Sequence, residues 1–349
     1  MISSISLFIA CAYAAVMALV LASNAKRIAT WFDLFDRPGG LKRHREPTPL
    51  MGGVALIAIL VPILIGYMIT YEPEGIGHWA LSSFAAAMLG CALLGTIDDH
   101  SPLSARARFL ATLVIFWGLL LVEPRFMLGA LYFTGMASPL PLGYIGGTAF
   151  TLFTLLGFLN AVNMADGKNG LVMGLSGIWA LIIAVVGPPG IIPVMLPLAV
   201  MLFVLGGFNL AGKLFLGDGG TYGLAAILSL AATYSYNFHG GSLKADALIL
   251  LFLIPVTDMM RLIAFRLAAR RSPMSGDRDH LHHYLLNAAG WPGGLAIYLM
   301  IVLLPNWLGV IRPHLVPLLI VVSLAAYFLI IVRCRPLPSP AGSRAAPAE

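Results

Sequence analysis

The sequence predicts an all-α polytopic membrane protein with about eleven transmembrane helices. Of its 349 residues, 59% are hydrophobic and only 10% are charged, whereas a soluble domain carries about 25% charged residues. The apolar residues also gather into runs of roughly 20 residues, the length of a helix that crosses the hydrocarbon core of a bilayer. These observations exclude a soluble enzyme. The net charge of +6 needs no nucleic-acid partner, because basic loops beside anionic lipids account for it.

Eleven apolar runs follow one another along the chain. They lie at about 2–23, 50–71, 80–97, 106–122, 144–161, 170–186, 191–209, 219–237, 244–265, 294–311 and 314–333. The first run lacks the basic segment and the cleavage site of a signal peptide, so we expect it to be a retained span. Residues 1–335 are thus predicted to form one membrane domain. The Pro- and Ala-rich tail 336–349 is predicted to be disordered and cytoplasmic.

The distribution of Lys and Arg predicts the orientation in the membrane. With eleven spans, 18 of the 21 Lys and Arg residues fall on one side, and such residues concentrate on the cytoplasmic side of membrane proteins. The N-terminus is therefore predicted to lie outside and the C-terminus in the cytoplasm. The outer segment after the fourth run is longer than a simple turn, and its residues 125–140 predict a short periplasmic hairpin.

Asp98 and Asp99 end the third apolar run and are the first candidate site residues. Adjacent carboxylates at a membrane surface repel each other and lose hydration at a cost. Such a pair therefore suggests a bound cation, proton or cationic substrate, and a solvated helix end is the alternative. Arg106 and Arg108 follow within one or two helical turns, where they could bind a phosphate close to a metal.

Asn160, Asn163 and Asp166 are spaced by three residues, so a helix that continues through them presents all three on one face. Their oxygens suit a hard cation such as Mg²⁺, or sugar hydroxyls. A helix end followed by a turn is the alternative. It accounts for Gly167, which favours a turn, but not for two amides and an acid on one face of a membrane helix.

Asp218 lies between Gly217 and Gly219 at the start of the eighth predicted helix. Two interpretations remain open. Its carboxylate could cap that helix, or the flexible backbone around it could let a phosphate or a metal approach closely.

Three histidines, His280, His282 and His283, lie close to Arg278 in a predicted cytoplasmic loop. Three histidines could suggest zinc, but no Cys and no second cluster of ligands lies nearby in the sequence. With Arg278 beside them, they favour binding of an anion such as a diphosphate. A role in proton transfer is the alternative.

Lys42 and His44 belong to another basic loop, which precedes Gly52 and Gly53. A basic run of this kind is an ordinary positive-inside signal when it stands alone. Its Pro and Gly residues indicate instead a defined loop that re-enters the membrane, and such a loop could guide an anionic substrate.

In this order, the motifs resemble those of the polyprenyl-phosphate N-acetylhexosamine-1-phosphate transferases of glycosyltransferase family 4, which include the WecA-type and MraY-type enzymes. The resemblance extends from about Asp33 to Gly290. Each motif is weak alone, but five in one order are specific. The five are Lys42-Arg-His44 with Pro49-Leu-Met-Gly-Gly53, Asp98-Asp99, Asn160-x-x-Asn163-x-x-Asp166-Gly, Gly217-Asp218-Gly, and His280-Leu-His282-His283.

The histidine loop resembles that of the WecA-type branch. The peptidoglycan-precursor branch has three consecutive histidines followed by Phe-Glu, whereas here Leu281 interrupts the histidines and Tyr284 follows them. This difference disfavours a UDP-MurNAc-pentapeptide donor. The stretch from His100 to Ser104 contains no third Asp, so any role that relatives give to that position is vacant or replaced here.

The resemblance implies an enzyme of the bacterial inner membrane that transfers an N-acetylhexosamine 1-phosphate from a UDP-sugar to undecaprenyl phosphate and releases UMP. Its active site would face the cytoplasm, and its metal would be Mg²⁺, with Mn²⁺ as an alternative. The reaction would be the first membrane step in the synthesis of a cell-surface polysaccharide such as O-antigen. GlcNAc is the first choice of sugar, ahead of GalNAc, FucNAc and QuiNAc. The resemblance suggests a homodimer, and the sequence itself leaves the assembly open.

The resemblance and the charges of the substrates suggest a role for each candidate residue. A lipid phosphate must attack a diphosphate, so Mg²⁺ and cationic side chains must offset the repulsion. Asp218 and Asn163 are expected to contact Mg²⁺, and Asp98, supported by Asp99, to activate or position the lipid phosphate. Direct displacement and a phospho-aspartate intermediate both remain open. Asp166, a fourth catalytic candidate, is expected to contact the nucleotide or the asparagines. Arg106 or Arg108 is expected to bind the lipid phosphate. The remaining candidates are expected to bind a substrate: Asn160, Lys42, His44, Arg278, His280, His282 and His283.

A secondary transporter is the main alternative from another class, because transporters use carboxylates within the membrane to bind cations or relay protons. Against it, the acids cluster at one predicted surface, and no charged residue interrupts the middle of a predicted span. A structural scaffold would leave the ordered motifs unexplained.

Overall fold

The computed structural model describes residues 4–38, 46–70, 76–238, 243–272 and 279–334, and most of them are helical. This confirms the all-α class. A π-helical turn, Leu56–Leu60, joins α3 and α4 into one continuous helix. In chain order the helices are α1 Ser4–Ser23, α2 Ala25–Phe32, α3 Gly52–Ala55, α4 Val61–Thr70, α5 Gly77–His100, α6 Ala105–Val122, α7 Gly143–Ala165, α8 Leu171–Val186, α9 Ile192–Leu210, α10 Gly217–Phe238, α11 Ala245–Ala268, α12 Leu281–Ala289, α13 Gly293–Ile311 and α14 Val316–Cys334.

Each of the eleven predicted apolar runs contains a helix. Within the described residues, nine helical segments are long and apolar enough to cross a membrane. The other two runs are α8, which has only 16 residues, and α10, which contains Gly, Ser, Thr and Tyr among its aliphatic residues. The helices thus lie where the sequence predicts them, and the count of eleven spans and their orientation stay predictions.

Helix α10 lies at the centre of the fold. All of its residues from Gly219 to Tyr236 are buried, and it packs against α3, α5, α7 and α8. Because protein rather than lipid surrounds this helix, its polar side chains and its glycines are tolerated at membrane depth. Its moderate hydropathy is therefore the signature of a helix enclosed by other helices.

Glycine allows α5 and α10 to approach each other closely. A Cβ on Gly95 of α5 would collide with the backbone of Asp218 and Gly219, and a Cβ on Gly219 would collide with a side chain of α5. Small residues at a helix crossing let the two backbones come together in this way. The crossing brings the end of α5, which carries Asp98 and Asp99, to the beginning of α10.

Strands β1 (Phe35–Asp36) and β2 (Thr48–Pro49) form a short antiparallel pair. Residues 39–45 between them lie outside the described part of the chain, and so do Lys42 and His44. After β2, the backbone N–H of Met51 donates to the carbonyl of Phe215 at 2.9 Å. This hydrogen bond ties the start of α3 to the segment that precedes α10.

Strands β3 (Ala130–Leu131) and β4 (Leu140–Pro141) form a second antiparallel pair, which confirms the hairpin predicted near 125–140. Tyr236, at the far end of α10, holds this hairpin. Its hydroxyl donates to the carbonyl of Ala130 at 2.9 Å and accepts from the backbone N–H of Tyr132 at 2.8 Å. The periplasmic location of the hairpin stays a prediction.

The expectation that no charged residue interrupts the middle of a predicted span is wrong at α11. Asp258 and Arg261 lie near the middle of this candidate span, within the predicted run 244–265. Their side chains pair at 2.8 Å. The pairing offsets part of the cost of removing each charge from water.

We expect Gly95→Ala to destabilise the protein. The added methyl group would overlap backbone atoms of α10, which cannot move without shifting the helix, and overpacking of this kind costs about 1–3 kcal/mol. The measurement is thermal unfolding of the purified protein in detergent, and the unfolding temperature should fall. Gly118→Ala in α6 is the matched control, because nothing lies within 4 Å of its added Cβ. Equal unfolding temperatures for Gly95→Ala and the wild type would contradict the close approach.

Candidate active site

Four helices bring the predicted polar residues together. Asp98 and Asp99 lie at the end of α5, and Asp218 lies in the first turn of α10. Arg108 comes from α6 and Asn163 from the last turns of α7. The structure thus joins three of the sequence motifs at one end of the central helix.

Asp98 is the most deeply buried acid of this group, with a side chain only 3% exposed. Its Oδ1 accepts a hydrogen bond from the backbone N–H of Leu103 at 2.7 Å. Its Oδ2 accepts from Nη1 of Arg108 at 3.1 Å and from the hydroxyl of Tyr222 at 3.4 Å. Ser104 caps the start of α6 by accepting from a backbone N–H, and this local turn brings Arg108 back to Asp98.

Asp218 faces the same centre from α10. Its Oδ1 accepts from Nδ2 of Asn163 at 2.6 Å, and its Oδ2 lies 3.9 Å from Nη1 of Arg108. The carboxyl groups of Asp218 and Asp98 both approach Nη1 of Arg108 and are therefore close to each other. Two carboxyl groups at that separation need a proton or a cation between them, and Arg108 supplies only part of that charge.

Asp99 has a different partner from its neighbour. Its Oδ1 accepts from the backbone N–H of Asp218 at 2.8 Å, and its Oδ2 accepts from that of Gly219 at 2.9 Å. These groups belong to the N-terminal turn of α10, whose N–H groups have no partner within the helix. Asp99 therefore caps α10 from another helix, and the carboxylate of Asp218 is left facing the centre.

The polar face predicted on the fifth run is confirmed as helix, because α7 continues through Asn160 and Asn163 to Ala165. Asn163 reaches Asp218, whereas Nδ2 of Asn160 donates to the carbonyl of Leu156 in its own helix at 2.8 Å. Asp166 lies beyond the last residue of α7 and is exposed, so the expectation that it extends the helical face is wrong.

The three histidines form a cluster at the start of α12, which we call the histidine cluster (His280, His282 and His283). The rings of His280 and His282 stack with centroids 5.1 Å apart, and those of His282 and His283 are 4.4 Å apart. Nε2 of His282 is buried without a hydrogen-bond partner among the described residues. Burial holds the pKa of His282 well below its usual value, so its imidazole is neutral.

Gly167 connects the histidine cluster with α7. A Cβ on Gly167 would collide with Nε2 of His282, so the imidazole lies directly against the loop that carries Asp166. Two motifs that are more than a hundred residues apart in sequence are thus in contact. Arg106 is exposed, while Lys42, His44 and Arg278 lie outside the described residues.

Sequence reasoning missed one group of polar residues, Asp258, Arg261 and Tyr327. Asp258 accepts hydrogen bonds from His280, Arg261 and Tyr327. A signal for two of them existed, since an Asp and an Arg three residues apart in an apolar helix share a face and are costly to bury unpaired. Tyr327 gave no such signal, because tyrosine is common in membrane helices.

The carboxylate centre, which consists of Asp98, Asp218, Asn163 and Arg108, fits a hard divalent cation. Carboxylate and amide oxygens are the ligands that Mg²⁺ prefers, and this ion usually takes only one or two carboxylates from the protein and completes its coordination with phosphate and water. In the described ranges, no group of three or more His, Cys, Asp or Glu is arranged to hold a metal by itself. Asp218 with Asn163 could therefore hold Mg²⁺ only as part of a shell that a phosphate substrate completes.

Comparisons with known proteins agree with this site. Residues 80–236 match the model of glycosyl transferase family 4, and this range includes the whole carboxylate centre. The undecaprenyl-phosphate alpha-N-acetylglucosaminyl 1-phosphate transferase of Yersinia pestis is 28% identical over 279 residues, which cover 76% of this chain and 72% of that protein. The corresponding Escherichia coli K12 protein is 29% identical over 335 residues, or 87% of this chain and 84% of that protein.

A third relative carries a similar name. The decaprenyl-phosphate N-acetylglucosaminephosphotransferase of Mycolicibacterium smegmatis is 29% identical over 305 residues, which cover 77% of this chain and 71% of that protein. The similarity that the five motifs indicate is therefore confirmed over most of the chain: its central part matches glycosyl transferase family 4, and its relatives are named as polyprenyl-phosphate N-acetylglucosamine 1-phosphate transferases.

Proposed function

We propose that this protein transfers N-acetylglucosamine 1-phosphate from UDP-GlcNAc to undecaprenyl phosphate and releases UMP. The observation that carries the proposal is the carboxylate centre, in which Asp98 and Asp218 converge beside Arg108. The names of the relatives support the sugar and the polyprenyl phosphate acceptor.

The proposed reaction joins two anions. An oxygen of the lipid phosphate attacks the phosphorus that carries the sugar, and the bond from that phosphorus to the bridging oxygen of UMP breaks. The products are a lipid diphosphate sugar and UMP. The second pKa of a phosphate monoester is about 6, so the attacking oxygen is already mostly ionised at neutral pH. A strong general base is therefore unnecessary, and direct displacement is favoured over a phospho-aspartate route.

The residues of the carboxylate centre would have two roles in this reaction, binding a metal and orienting the lipid phosphate. Asp218 and Asn163 would hold Mg²⁺, and Asn163 would then present its amide oxygen, which requires a half-turn of the amide from its present bond to Asp218. When bound there, Mg²⁺ would neutralise diphosphate oxygens and the charge that develops during transfer. Arg108, held by Asp98, would orient the lipid phosphate.

The chemistry of the two substrates supports a site at the cytoplasmic face of the bacterial inner membrane. A polyprenyl phosphate carries its long chain in the bilayer, whereas a UDP-sugar is a water-soluble cytoplasmic nucleotide. With eleven spans, the concentration of Lys and Arg puts every candidate motif on the cytoplasmic side. We assign the reaction to the first membrane step of a cell-surface polysaccharide, because its product is a lipid-linked sugar ready for extension.

UMP release provides the direct test of the proposal. We expect the protein, purified in detergent, to release UMP when UDP-GlcNAc, undecaprenyl phosphate and MgCl₂ are all present. EDTA should abolish the release and added Mg²⁺ or Mn²⁺ should restore it. A panel with UDP-GalNAc, UDP-FucNAc and UDP-QuiNAc sets the sugar preference. Absence of UMP release with every donor would contradict the proposal, and activity that persists in EDTA would remove the metal from it.

Asp218→Asn should lower the rate of UMP release by about a hundredfold or more, because it removes the charge that offsets a metal beside the transferring phosphoryl group. The variant should unfold at the wild-type temperature. Asp246→Asn is the matched control, since Asp246 is also an acid in the first turn of a long helix, but it lies buried at the start of α11. Normal turnover by Asp218→Asn would remove Asp218 from the site.

Asp99→Asn should be a milder lesion than Asp99→Ala, because Asn keeps one acceptor oxygen for the two N–H groups of α10. Loss of such a cap costs about 1 kcal/mol. We expect the alanine variant to need more Mg²⁺ for half-maximal activity, and the asparagine variant to recover part of that loss. If both variants lose all activity at any Mg²⁺ concentration, Asp99 acts in the chemistry itself and its role as a cap is not the limiting one.

A further inference from the structure

Asp258 is a buried acid that belongs to none of the five motifs. It lies in α11 and is 4% exposed. Its Oδ1 accepts from the hydroxyl of Tyr327 at 2.7 Å and from Nη2 of Arg261 at 2.8 Å. Its Oδ2 lies 3.0 Å from Nδ1 of His280 and accepts from the backbone N–H of Leu281 at 3.2 Å. Both oxygens are therefore fully engaged.

These partners come from three separate elements. Arg261 belongs to α11 itself, Tyr327 to the last helix α14, and His280 and Leu281 to the beginning of α12. Arg261 makes two further contacts between these elements. Its Nε donates to the hydroxyl of Tyr327 at 2.7 Å, and its Nη2 donates to the carbonyl of Asp279. A buried carboxylate with four donors holds its partners firmly, because removal of one partner leaves an uncompensated group in a low dielectric.

The contact with Asp258 fixes the orientation of His280. Because a carboxylate accepts, Nδ1 of His280 carries the hydrogen and Nε2 is turned away from Asp258. The ring of His280 stacks almost parallel on His282, with an interplanar angle of 13°. Nε2 of His282 in turn lies against Gly167. A continuous line of contacts therefore joins Asp258 to the loop that carries Asp166.

We propose that Asp258 is a positioning residue of the transfer site. It acts through His280 and holds the histidine cluster against the Asp166–Gly167 loop, with Tyr327 of the last helix as a second support. The inference rests on the proposed function and on the expectation from the sequence that these histidines bind the diphosphate of the donor. The last helix thus contributes to donor binding without touching the donor.

A double-mutant cycle tests whether Asp258 acts through His280. Asp258→Asn keeps the shape of the side chain but turns an amide N–H toward donors, and His280→Gln removes the donor at Nδ1. We expect each variant to raise the KM for UDP-GlcNAc by about tenfold, the scale seen when a carboxylate that orients a functional histidine is lost, with a smaller change in the KM for the lipid. The double variant should be no worse than the more impaired single variant.

Two further variants separate positioning from a general loss of structure. Tyr327→Phe removes one hydroxyl group and should raise the KM for UDP-GlcNAc about threefold, with only a small fall in the unfolding temperature because Arg261 and His280 still hold the carboxylate. Asp246→Asn, on the same helix, should leave both KM values unchanged. Effects that multiply in the double variant, or a normal KM in Asp258→Asn, would overturn the proposal.

Hydrogen–deuterium exchange of the whole protein supplies a readout that does not depend on the reaction. We expect the amides of Leu281–Ala289 to exchange faster in Asp258→Asn and Tyr327→Phe than in the wild type and in Asp246→Asn. Wild-type protein that releases no UMP would contradict the proposed function, while unchanged exchange of Leu281–Ala289 would contradict the role of Asp258. The two failures are therefore distinguishable.

Discussion

The site depends on two hydrogen bonds that cross from α10 to α5, from the backbone N–H groups of Asp218 and Gly219 to the carboxylate of Asp99. The first turn of a helix has N–H groups without partners and a positive end of its dipole, so a carboxylate there is doubly stabilised. Glycine at the crossing leaves no side chain between the two backbones. Asp99 thereby fixes the position of α10 along its axis and its rotation about that axis. Both determine the direction of the Asp218 carboxylate.

Helical geometry explains why an adjacent pair of acids is used. Successive residues of an α-helix point about 100° apart, so the side chains of Asp98 and Asp99 leave α5 in different directions. Asp99 faces the backbone of α10, while Asp98 faces Arg108 and Tyr222. The two adjacent acids therefore have different roles: Asp99 caps α10, and Asp98 holds the guanidinium group of Arg108. This division also leaves Asp218 with Asn163 as the part of the centre that is open to a ligand.

The sequence predicts those parts of the structure that local patterns encode. Apolar runs locate all eleven long helices, turn residues predict the hairpin held by Tyr236, and spacing by three residues predicts the helical face of Asn163. Contacts between distant residues escape such reasoning: Asp99 caps a turn 119 residues away, and Asp258 binds Tyr327, 69 residues away. The family was nevertheless predictable, because the order of five motifs carries information that none of their spacings contains.

The end of α7 separates two groups whose charges would otherwise cancel. Asn163 on one side bonds to Asp218 in the carboxylate centre, while Gly167 on the other side touches His282 in the histidine cluster. Carboxylates in direct contact with histidines would favour their protonation and pair with them, which would leave neither group for a ligand. Within the described residues, Asp258 makes such a contact with His280, and this carboxylate is also paired with Arg261. His282 is buried without a hydrogen-bond partner among the described residues, and the carboxylate centre lies on the other side of the end of α7. This separation would suit the proposed reaction, in which a metal and two anionic substrates would meet at one surface.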